Sequence, residues 1–200
     1  MTQAEAGHGE QQLVGILLAA GRGVRFDPGG AQNKLMRALP GGVPVAVAAA
    51  RTLLSAIPLV LAVVRPGADL LAAALREAGC RVVECPNADE GMGASLVFAL
   101  SQTHTASGWL IALADMPYVD TTTVAALVEA LRRDADIVVP LHRGRRGNPV
   151  GFSRRHLPEL LTLGGDQGAR RLLKTYQVTE IEVDDPGIAQ DIDTPDDLTH

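Results

Sequence analysis

The 200-residue sequence predicts a single α/β domain with a mainly parallel β-sheet. Short apolar segments alternate along the chain with longer Ala- and Leu-rich segments, as expected when helices connect parallel strands. Hydrophobic residues make up 46% of the chain, which is ample for one core, and aromatic residues only 3%, so Ala, Leu and Val must form most of that core. Residues 1–12 are polar, and we predict a flexible tail there, followed by the domain over residues 13–200.

The first half of the chain alternates regularly between the two types of segment. Each predicted strand is a short apolar run, and the first ends close to Gly21. Pro44 is a favourable residue for opening a helix, and Gly79 is a typical helix stop. The predicted strands cover residues 14–20, 59–64 and 81–84, and the predicted helices cover residues 44–55, 68–78 and 94–101.

The second half begins in the same way and becomes less regular after Asn148. The segment WLIALA is the most apolar strand, and Thr121 is the predicted N-cap of the helix that follows it. The predicted strands cover residues 109–114, 137–140, 150–153 and 179–183, and the predicted helices cover residues 121–133, 156–163 and 168–175.

Composition excludes several classes of protein. The net charge of −5 argues against a nucleic-acid-binding protein, although a local Arg/Lys cluster can still bind an anion. Two cysteines form neither a disulfide framework nor a zinc site, which favours a reduced, cytoplasmic protein. The first residues lack the pattern of a signal peptide, and no apolar run approaches the ~18 residues of a membrane span.

Polar loops follow the predicted strands. In open α/β sheets, ligands bind beyond the carboxyl ends of the strands. The segments found there are all rich in Gly, Asp or Arg: GRGVRF, CPNADEGMGAS, DMPYVD, LHRGRRGNPVGF and DDPGIAQDIDTPDDL. Their convergence predicts a ligand site at this edge of the sheet.

The first of these loops has the composition of a phosphate-binding loop. Backbone N–H groups of a glycine-rich turn such as Gly21-Arg22-Gly23 can donate to anionic oxygens, and Arg25 and Lys34 add full charges. Lys34 is one of only two lysines beside sixteen arginines. The loop is neither a P-loop nor a dinucleotide fingerprint, since Phe26 stands where a third Gly is needed. The alternative is a surface turn with solvated arginines.

Acidic residues follow two other strands. Asp115 comes directly after the most apolar strand, where a carboxylate must be solvated, paired or bound to a cation, and Mg²⁺ bridging it to phosphate oxygens is the usual arrangement. Asp191 and Asp193 would point to one side of an extended segment, and one of them could complete the metal site. Alternatively, Asp115 caps a helix or belongs to a turn. For the last loop, the alternative is that Asp193 or Thr194 caps a short helix beginning at Pro195.

Three further segments are weaker signals. The turn Gly91-Met92-Gly93-Ala94-Ser95 would let a planar base approach the backbone, with Ser95 donating a hydrogen bond, or it is a plain helix start. Residues 143–149 are a basic segment or a solvated loop. Residues 165–170 combine Gly, Asp and Arg, and the histidines show no metal-ligand spacing.

In order along the chain, these motifs resemble the nucleotidyltransferases of molybdenum-cofactor maturation, and above all their cytidylyltransferase branch. The similarity spans about residues 14–198. Two departures are the long segment between Arg25 and Lys34 and the presence of Asn148 where these cytidylyltransferases often have His. The matching motifs are LAAG with Arg25 and Lys34, GMGxSL (Gly91 to Leu96), ADMP (Ala114 to Pro117), RGxPVxF (Arg146 to Phe152), GDxGAR (Gly165 to Arg170) and DIDTPxDL (Asp191 to Leu198).

The resemblance implies a Rossmann-like, three-layer domain of the nucleotide-diphospho-sugar transferase type. It also implies transfer of a nucleoside monophosphate to a molybdopterin cofactor, with release of pyrophosphate and with Mg²⁺ as cofactor. The implied catalytic residues are Arg25, Lys34 and Asp115. The implied metal ligands are Asp115 with Asp193 or Asp191. The implied acceptor-binding residues are Arg146, Gly147, Asn148 and Pro149. The implied nucleotide-binding residues are Leu18, Ala19, Ala20, Gly21, Arg22, Gly23, Lys34, Gly91, Met92, Gly93, Ser95 and Asp115.

Three hypotheses follow for the function. The first is a transferase that uses CTP, and the second changes the donor to GTP or the acceptor to another phosphorylated compound. The third is a non-catalytic partner that binds the cofactor and hands it to a molybdoenzyme, such as one of the xanthine dehydrogenase type. A phosphate acceptor is already ionised near neutral pH, so none of these needs a dedicated general base.

Overall fold

The computed structural model describes residues 12–21, 23, 26 and 33–199, with the backbone alone described at 166–168 and 199. The predicted tail, apart from Gln12, therefore lies outside the described residues. The described strands are β1 (Leu13–Leu18), β2 (Val60–Val64), β3 (Arg81–Glu84), β4 (Gly108–Leu113), β5 (Ile137–His142), β6 (Arg145–Arg146), β7 (Val150–Ser153) and β8 (Thr179–Glu182). The described α-helices are α1 (Val45–Leu54), α2 (Asp69–Glu77), α3 (Met92–Gln102), α4 (Thr121–Arg132), α5 (Leu157–Leu160) and α6 (Leu172–Thr175).

The strands form one mixed sheet in the order β3-β2-β1-β4-β7-β5-β6, with β8 paired to β5. Strands β1, β2, β3 and β4 are mutually parallel, as predicted for the first half of the chain. Strand β7 runs antiparallel between β4 and β5, so β5 has the same direction as β4. The carboxyl ends of β1, β4 and β5 therefore lie at one edge of the sheet.

Helices cover both faces of the sheet and make the three layers that were predicted. On one face, Leu17 and Leu110 pack with the buried residues of α1, α2 and α4. On the other, Ile16 and Ile111 pack with α3, with Leu160 of α5 and with Leu172 of α6. Among the helices that the structure describes, none is long and apolar enough to cross a membrane.

Several local predictions need correction. The N-cap of α4 is Asp120, not Thr121, and it makes no side-chain cap. The side chain that accepts hydrogen bonds at this end of α4 is the buried Asp185. Its Oδ2 accepts from the Asp120 backbone N–H (2.9 Å) and from Thr123 Oγ1 (2.7 Å). The helices predicted over 156–163 and 168–175 are shorter, and each follows a 3₁₀ turn, Arg154–His156 and Gly165–Arg171 respectively. Strand β5 extends to His142 and forms a hairpin with β6, which was predicted as a loop.

A candidate active site at the carboxyl edge of the sheet

Lys34 lies among oxygen atoms from two distant loops. Its Nζ is 2.7 Å from Asp115 Oδ2, 2.9 Å from the Ile192 carbonyl oxygen and 3.4 Å from Asp193 Oδ1. The Lys34 side chain is 11% exposed, against 24% for Asp115 and 35% for Asp193. The structure therefore brings together three of the predicted site residues in one partly buried, charged cluster.

Backbone hydrogen bonds hold the two acidic loops beside each other. The N–H of Ala114, which directly follows β4, donates to the Leu18 carbonyl at the end of β1 (3.1 Å). The Ile192 N–H donates to the Asp115 carbonyl (2.8 Å), which places Asp193 next to Asp115. The site is thus an extension of the parallel β1–β4 pair, with the last loop of the chain added.

Asp197 stabilises the loop that carries Asp193, just before the short 3₁₀ helix Pro195–Thr199. Its Oδ2 accepts from the backbone N–H groups of Asp193 (3.0 Å) and Thr194 (2.7 Å) and from Thr194 Oγ1 (2.9 Å). The bond to the Thr194 N–H from a side chain three residues later is the return bond of a capping box. The cap by Asp193 or Thr194 stays a prediction, and the Asp193 carboxylate contacts Lys34 Nζ at 3.4 Å.

The end of β1 and the glycine-rich loop lie beside Lys34. Leu18, Ala19 and Ala20 lead to Gly21, and the Ala19 N–H donates to the Val63 carbonyl of β2 (2.9 Å). Gly23 has a φ of +62°, a left-handed conformation that glycine adopts without strain. A Cβ there would lie 3.5 Å from Lys34 Cγ, an ordinary van der Waals distance, so Gly23 and the lysine stem are neighbours. Arg22 and Arg25 lie outside the described residues.

The N-terminus of α3 has a tightly packed backbone. Gly91, the N-cap, has a φ of +111°, Met92 is 44% exposed, and Ser95 is buried. A Cβ on Gly93 would lie 2.8 Å from the Gly164 carbonyl carbon, so backbone occupies the space beside this glycine. The sequence did not reveal this contact, because the two segments are far apart along the chain.

An ion pair at the carboxyl edge of the sheet was not predicted from the sequence. Arg65 directly follows β2 and pairs with Asp89, in the 3₁₀ turn before α3. Its position immediately after a predicted strand was a signal that could have found it.

The predicted acceptor segment is held by neighbouring loops. The Arg146 Nε donates to Glu180 Oε1 (2.6 Å), and the Asn148 N–H donates to the Ile188 carbonyl (2.9 Å). A Cβ on Gly147 would lie 2.3 Å from the Ile188 carbonyl oxygen, so only glycine fits. Pro149 is buried directly before β7. The segment connects β6 to β7 and so lies at the carboxyl edge of β5.

Two of the predicted metal-ligating carboxylates, Asp115 and Asp193, lie together beside Lys34. Asp191 is exposed and makes no hydrogen bond or ion pair with any other residue in the described ranges. No group of three or more His, Cys, Asp or Glu suited to a metal occurs in the part of the chain that the structure describes. The pair Asp115 and Asp193 fits Mg²⁺, which typically uses one or two carboxylates and takes further oxygens from substrate phosphates and water.

Both cysteines are buried. Cys80 is buried, and burial raises the pKa of its thiol to about 11, so the reactive thiolate is suppressed at neutral pH. Cys85 is fully buried at the start of the loop after β3. The histidines at 104 and 142 each have Nδ1 within 3.0 Å of a backbone carbonyl. The arrangement therefore suits in-line transfer between phosphates, which depends on positioning and charge neutralisation.

Fold and site together define a nucleotidyltransferase domain. The sequence profile of the MobA-like NTP transferase domain matches residues 15–181, and the chain belongs to this family. It is 33% identical over 197 residues to the purine catabolism protein PucB of Bacillus subtilis, covering 92% of this chain and 93% of PucB. It is 30% identical over 192 residues to nicotine blue oxidoreductase of Paenarthrobacter nicotinovorans, covering 91% and 92%. The resemblance to the molybdenum-cofactor nucleotidyltransferases is thereby confirmed.

Solved structures confirm the fold. The chain superposes on Rv0371c of Mycobacterium tuberculosis with a TM-score of 0.77 and 29% identity, covering 93% of this chain and 95% of that one. The same mycobacterial protein has been solved in complex with manganese, at a TM-score of 0.75, 28% identity and the same coverage. Cytidylyltransferases below 25% identity share the fold, which is that of the nucleotide-diphospho-sugar transferase type.

Proposed function

We propose that this protein transfers CMP from CTP to the terminal phosphate of a molybdopterin cofactor and releases pyrophosphate. The observation that supports this most directly is the cluster of Lys34, Asp115 and Asp193, a cation and two carboxylates at the carboxyl edge of the sheet. Family membership supports nucleotidyl transfer in general. The cytidylyl specificity and the acceptor are our inference from the GMGxS, RGxPV and GDxGAR motifs.

The reaction needs correct alignment more than acid–base chemistry. An oxygen of the acceptor phosphate attacks the α-phosphorus of CTP, and the bond from this phosphorus to the bridging oxygen of the β-phosphate breaks. Pyrophosphate leaves with the electron pair of that bond. In this proposal Gly21, Arg22 and Gly23 hold the triphosphate through backbone N–H groups, and Arg25 and Lys34 neutralise the charge that develops on it.

Asp115 and Asp193 would hold Mg²⁺ in this reaction. When bound, the ion supplies positive charge to the phosphate oxygens and helps to align them. The solved manganese complex of Rv0371c supports a divalent ion in a related protein. Asp191, which is exposed, is not required in this arrangement.

Base selection is assigned to the N-terminus of α3. Gly91 has no side chain and Met92 is exposed, so a base could approach the backbone here. The backbone of Gly164 already fills the space beside Gly93, and Ser95 is buried, so these two residues would not contact the base directly. The expected preference for a single-ring base rests on the motifs, with a purine rejected because it would clash or leave polar groups unpaired.

Two further points concern the acceptor and the partner. The segment Arg146-Gly147-Asn148-Pro149 would lie against the molybdopterin. The name of PucB associates that relative with purine catabolism. Xanthine is a purine, and this favours a molybdoenzyme of the xanthine dehydrogenase type as the recipient of the product.

Pyrophosphate release with each of the four nucleoside triphosphates tests the proposal. With molybdopterin cofactor and Mg²⁺, the specificity constant for CTP should exceed that for GTP by at least about tenfold, equivalent to ~1.4 kcal/mol. Without acceptor, release should be negligible. A preference for GTP would contradict the CMP proposal and leave a guanylyltransferase. Cofactor binding with no pyrophosphate from any nucleotide would indicate the non-catalytic maturation factor instead.

A further inference from the structure

The ammonium group of Lys34 is in a position that suits a metal ion. Three oxygens surround it: Asp115 Oδ2 at 2.7 Å, the Ile192 carbonyl at 2.9 Å and Asp193 Oδ1 at 3.4 Å. Two of the three belong to the carboxylates that would hold the divalent ion. With only 11% of its side chain exposed, Lys34 is largely shielded from water and is committed to these contacts.

Among the described residues, Lys34 places one positive charge against the two carboxylates of Asp115 and Asp193. Adding a divalent ion beside the ammonium would place three positive charges against two negative ones, at a separation of a few ångströms where repulsion is strong. A triphosphate brings the missing negative charge and offers Lys34 an alternative partner.

We propose that Lys34 is the resident counter-ion of the Asp115–Asp193 pair and excludes the divalent ion until a triphosphate draws the ammonium away. This inference rests on the proposed function for the identity of the triphosphate ligand. It adds the order in which the triphosphate and the divalent ion bind. Lys34 then has two positions, on the carboxylates in the nucleotide-free protein and on the phosphates in the loaded one. Metal and triphosphate consequently bind with positive coupling, since each favours the same displaced state of Lys34.

Binding of Mn²⁺ alone, without nucleotide or acceptor, tests the first half of the proposal. Lys34→Met keeps the length of the side chain and removes its charge, so it should bind Mn²⁺ at least tenfold more tightly than the wild type. Lys174→Met is the matched control, because it removes the only other lysine, which is exposed on α6, and changes the net charge equally. Equal affinity in Lys34→Met and wild type, or an equal gain in Lys174→Met, would overturn the proposal.

The second half can be tested in the wild-type protein, even if Lys34→Met does not fold. Labelling the ε-carbon of lysine with ¹³C gives one signal for each of the two lysines, and the signal of Lys174 serves as an internal control. Mg²⁺ alone should leave the Lys34 signal in place, whereas Mg²⁺ with inorganic triphosphate should shift it. The proposed movement of Lys34 from the carboxylates to the phosphates would be contradicted by a Lys34 signal that stays in place with Mg²⁺ and triphosphate together. A Lys34 signal that moves equally with Mg²⁺ alone would also contradict it.

Neither measurement uses turnover, so this inference and the proposed function can fail separately. Tighter Mn²⁺ binding in Lys34→Met together with an inactive wild type would overturn the transferase proposal alone. CMP transfer by the wild type, together with a Mn²⁺ affinity of Lys34→Met that equals the wild-type affinity, would overturn the counter-ion proposal alone.

Discussion

Asp115 and Asp193 contact Lys34 unequally. The Nζ–Oδ distance is 2.7 Å for Asp115 and 3.4 Å for Asp193, and Asp115 is the less exposed of the two. Asp115 also follows a central strand, whereas Asp193 belongs to a loop held by Asp197. Asp115 is therefore expected to make the larger contribution to metal binding.

Substitution of the three acids by Asn tests this order, because Asn keeps the shape and removes the charge. Asp115→Asn should lower kcat/KM at limiting Mg²⁺ by about 100-fold or more, the usual scale for losing a group that stabilises transition-state charge. Asp193→Asn should have a smaller effect, and the exposed Asp191→Asn serves as the matched control with near-wild-type activity. Thermal unfolding should show that all three fold. An active Asp115→Asn, or an Asp191→Asn as impaired as Asp115→Asn, would contradict the assignment.

Sequence alone could single out Lys34, Asp115 and Asp193 as candidate site residues, because each follows a strand or lies in a recognisable motif. It could not show that they contact one another, since 81 residues separate Lys34 from Asp115 and 159 separate it from Asp193. Nor could it choose between Asp191 and Asp193. That choice depends on the turn that Asp197 stabilises, which pattern and spacing do not reveal.

At the level of elements, most strands and the parallel sheet of the first half were predictable, whereas the antiparallel position of β7 was not. The buried runs in β1, β2 and β4 are continuous and apolar, so their existence follows from hydrophobic pattern. The antiparallel insertion of β7 between β4 and β5 depends on pairings between distant segments, which a four-residue strand does not encode. The wrong Thr121 cap has a similar cause, because Asp185, 65 residues from Asp120, supplies the acceptor beside α4.

The packing of α3 against residues 164 and 165 gives a test at this scale. Gly93→Ala places a Cβ 2.8 Å from the Gly164 carbonyl carbon and should destabilise the fold by about 1–3 kcal/mol. This loss would occur although Ala favours helices over Gly by ~1 kcal/mol. The measurement is the free energy of unfolding in denaturant.

Gly164→Ala is the matched control for this contact. Gly164 has an extended backbone, with a φ of −158°, and among the described residues no atom lies within 4 Å of the position that a Cβ would take. Ala should therefore change the free energy of unfolding by less than about 0.5 kcal/mol. A Gly93→Ala protein as stable as the wild type would show that α3 and the 164–165 segment do not pack as described.

On the scale of the whole molecule, the proposed function requires an acidic protein to bind an anionic substrate at one edge. The net charge is −5, so the triphosphate would be bound by local cations and backbone N–H groups rather than by a basic surface. In this proposal the parallel strands β1–β3 and α3 would form the nucleotide side of this edge, and β7, β5 and residues 146–149 would form the acceptor side. Asp115 follows β4, which lies between β1 and β7 in the sheet.

The fate of labelled CTP tests nucleotidyl transfer most directly. Two preparations of CTP, one labelled at the α-phosphorus and one at the γ-phosphorus, are incubated with the protein, Mg²⁺ and molybdopterin cofactor, and the products are separated. We expect the α-label to appear in the cofactor as covalently bound CMP and the γ-label to appear in pyrophosphate in equal amount. Transfer of the γ-label to the cofactor, or an α-label that remains in free nucleotide while the cofactor is bound, would contradict it.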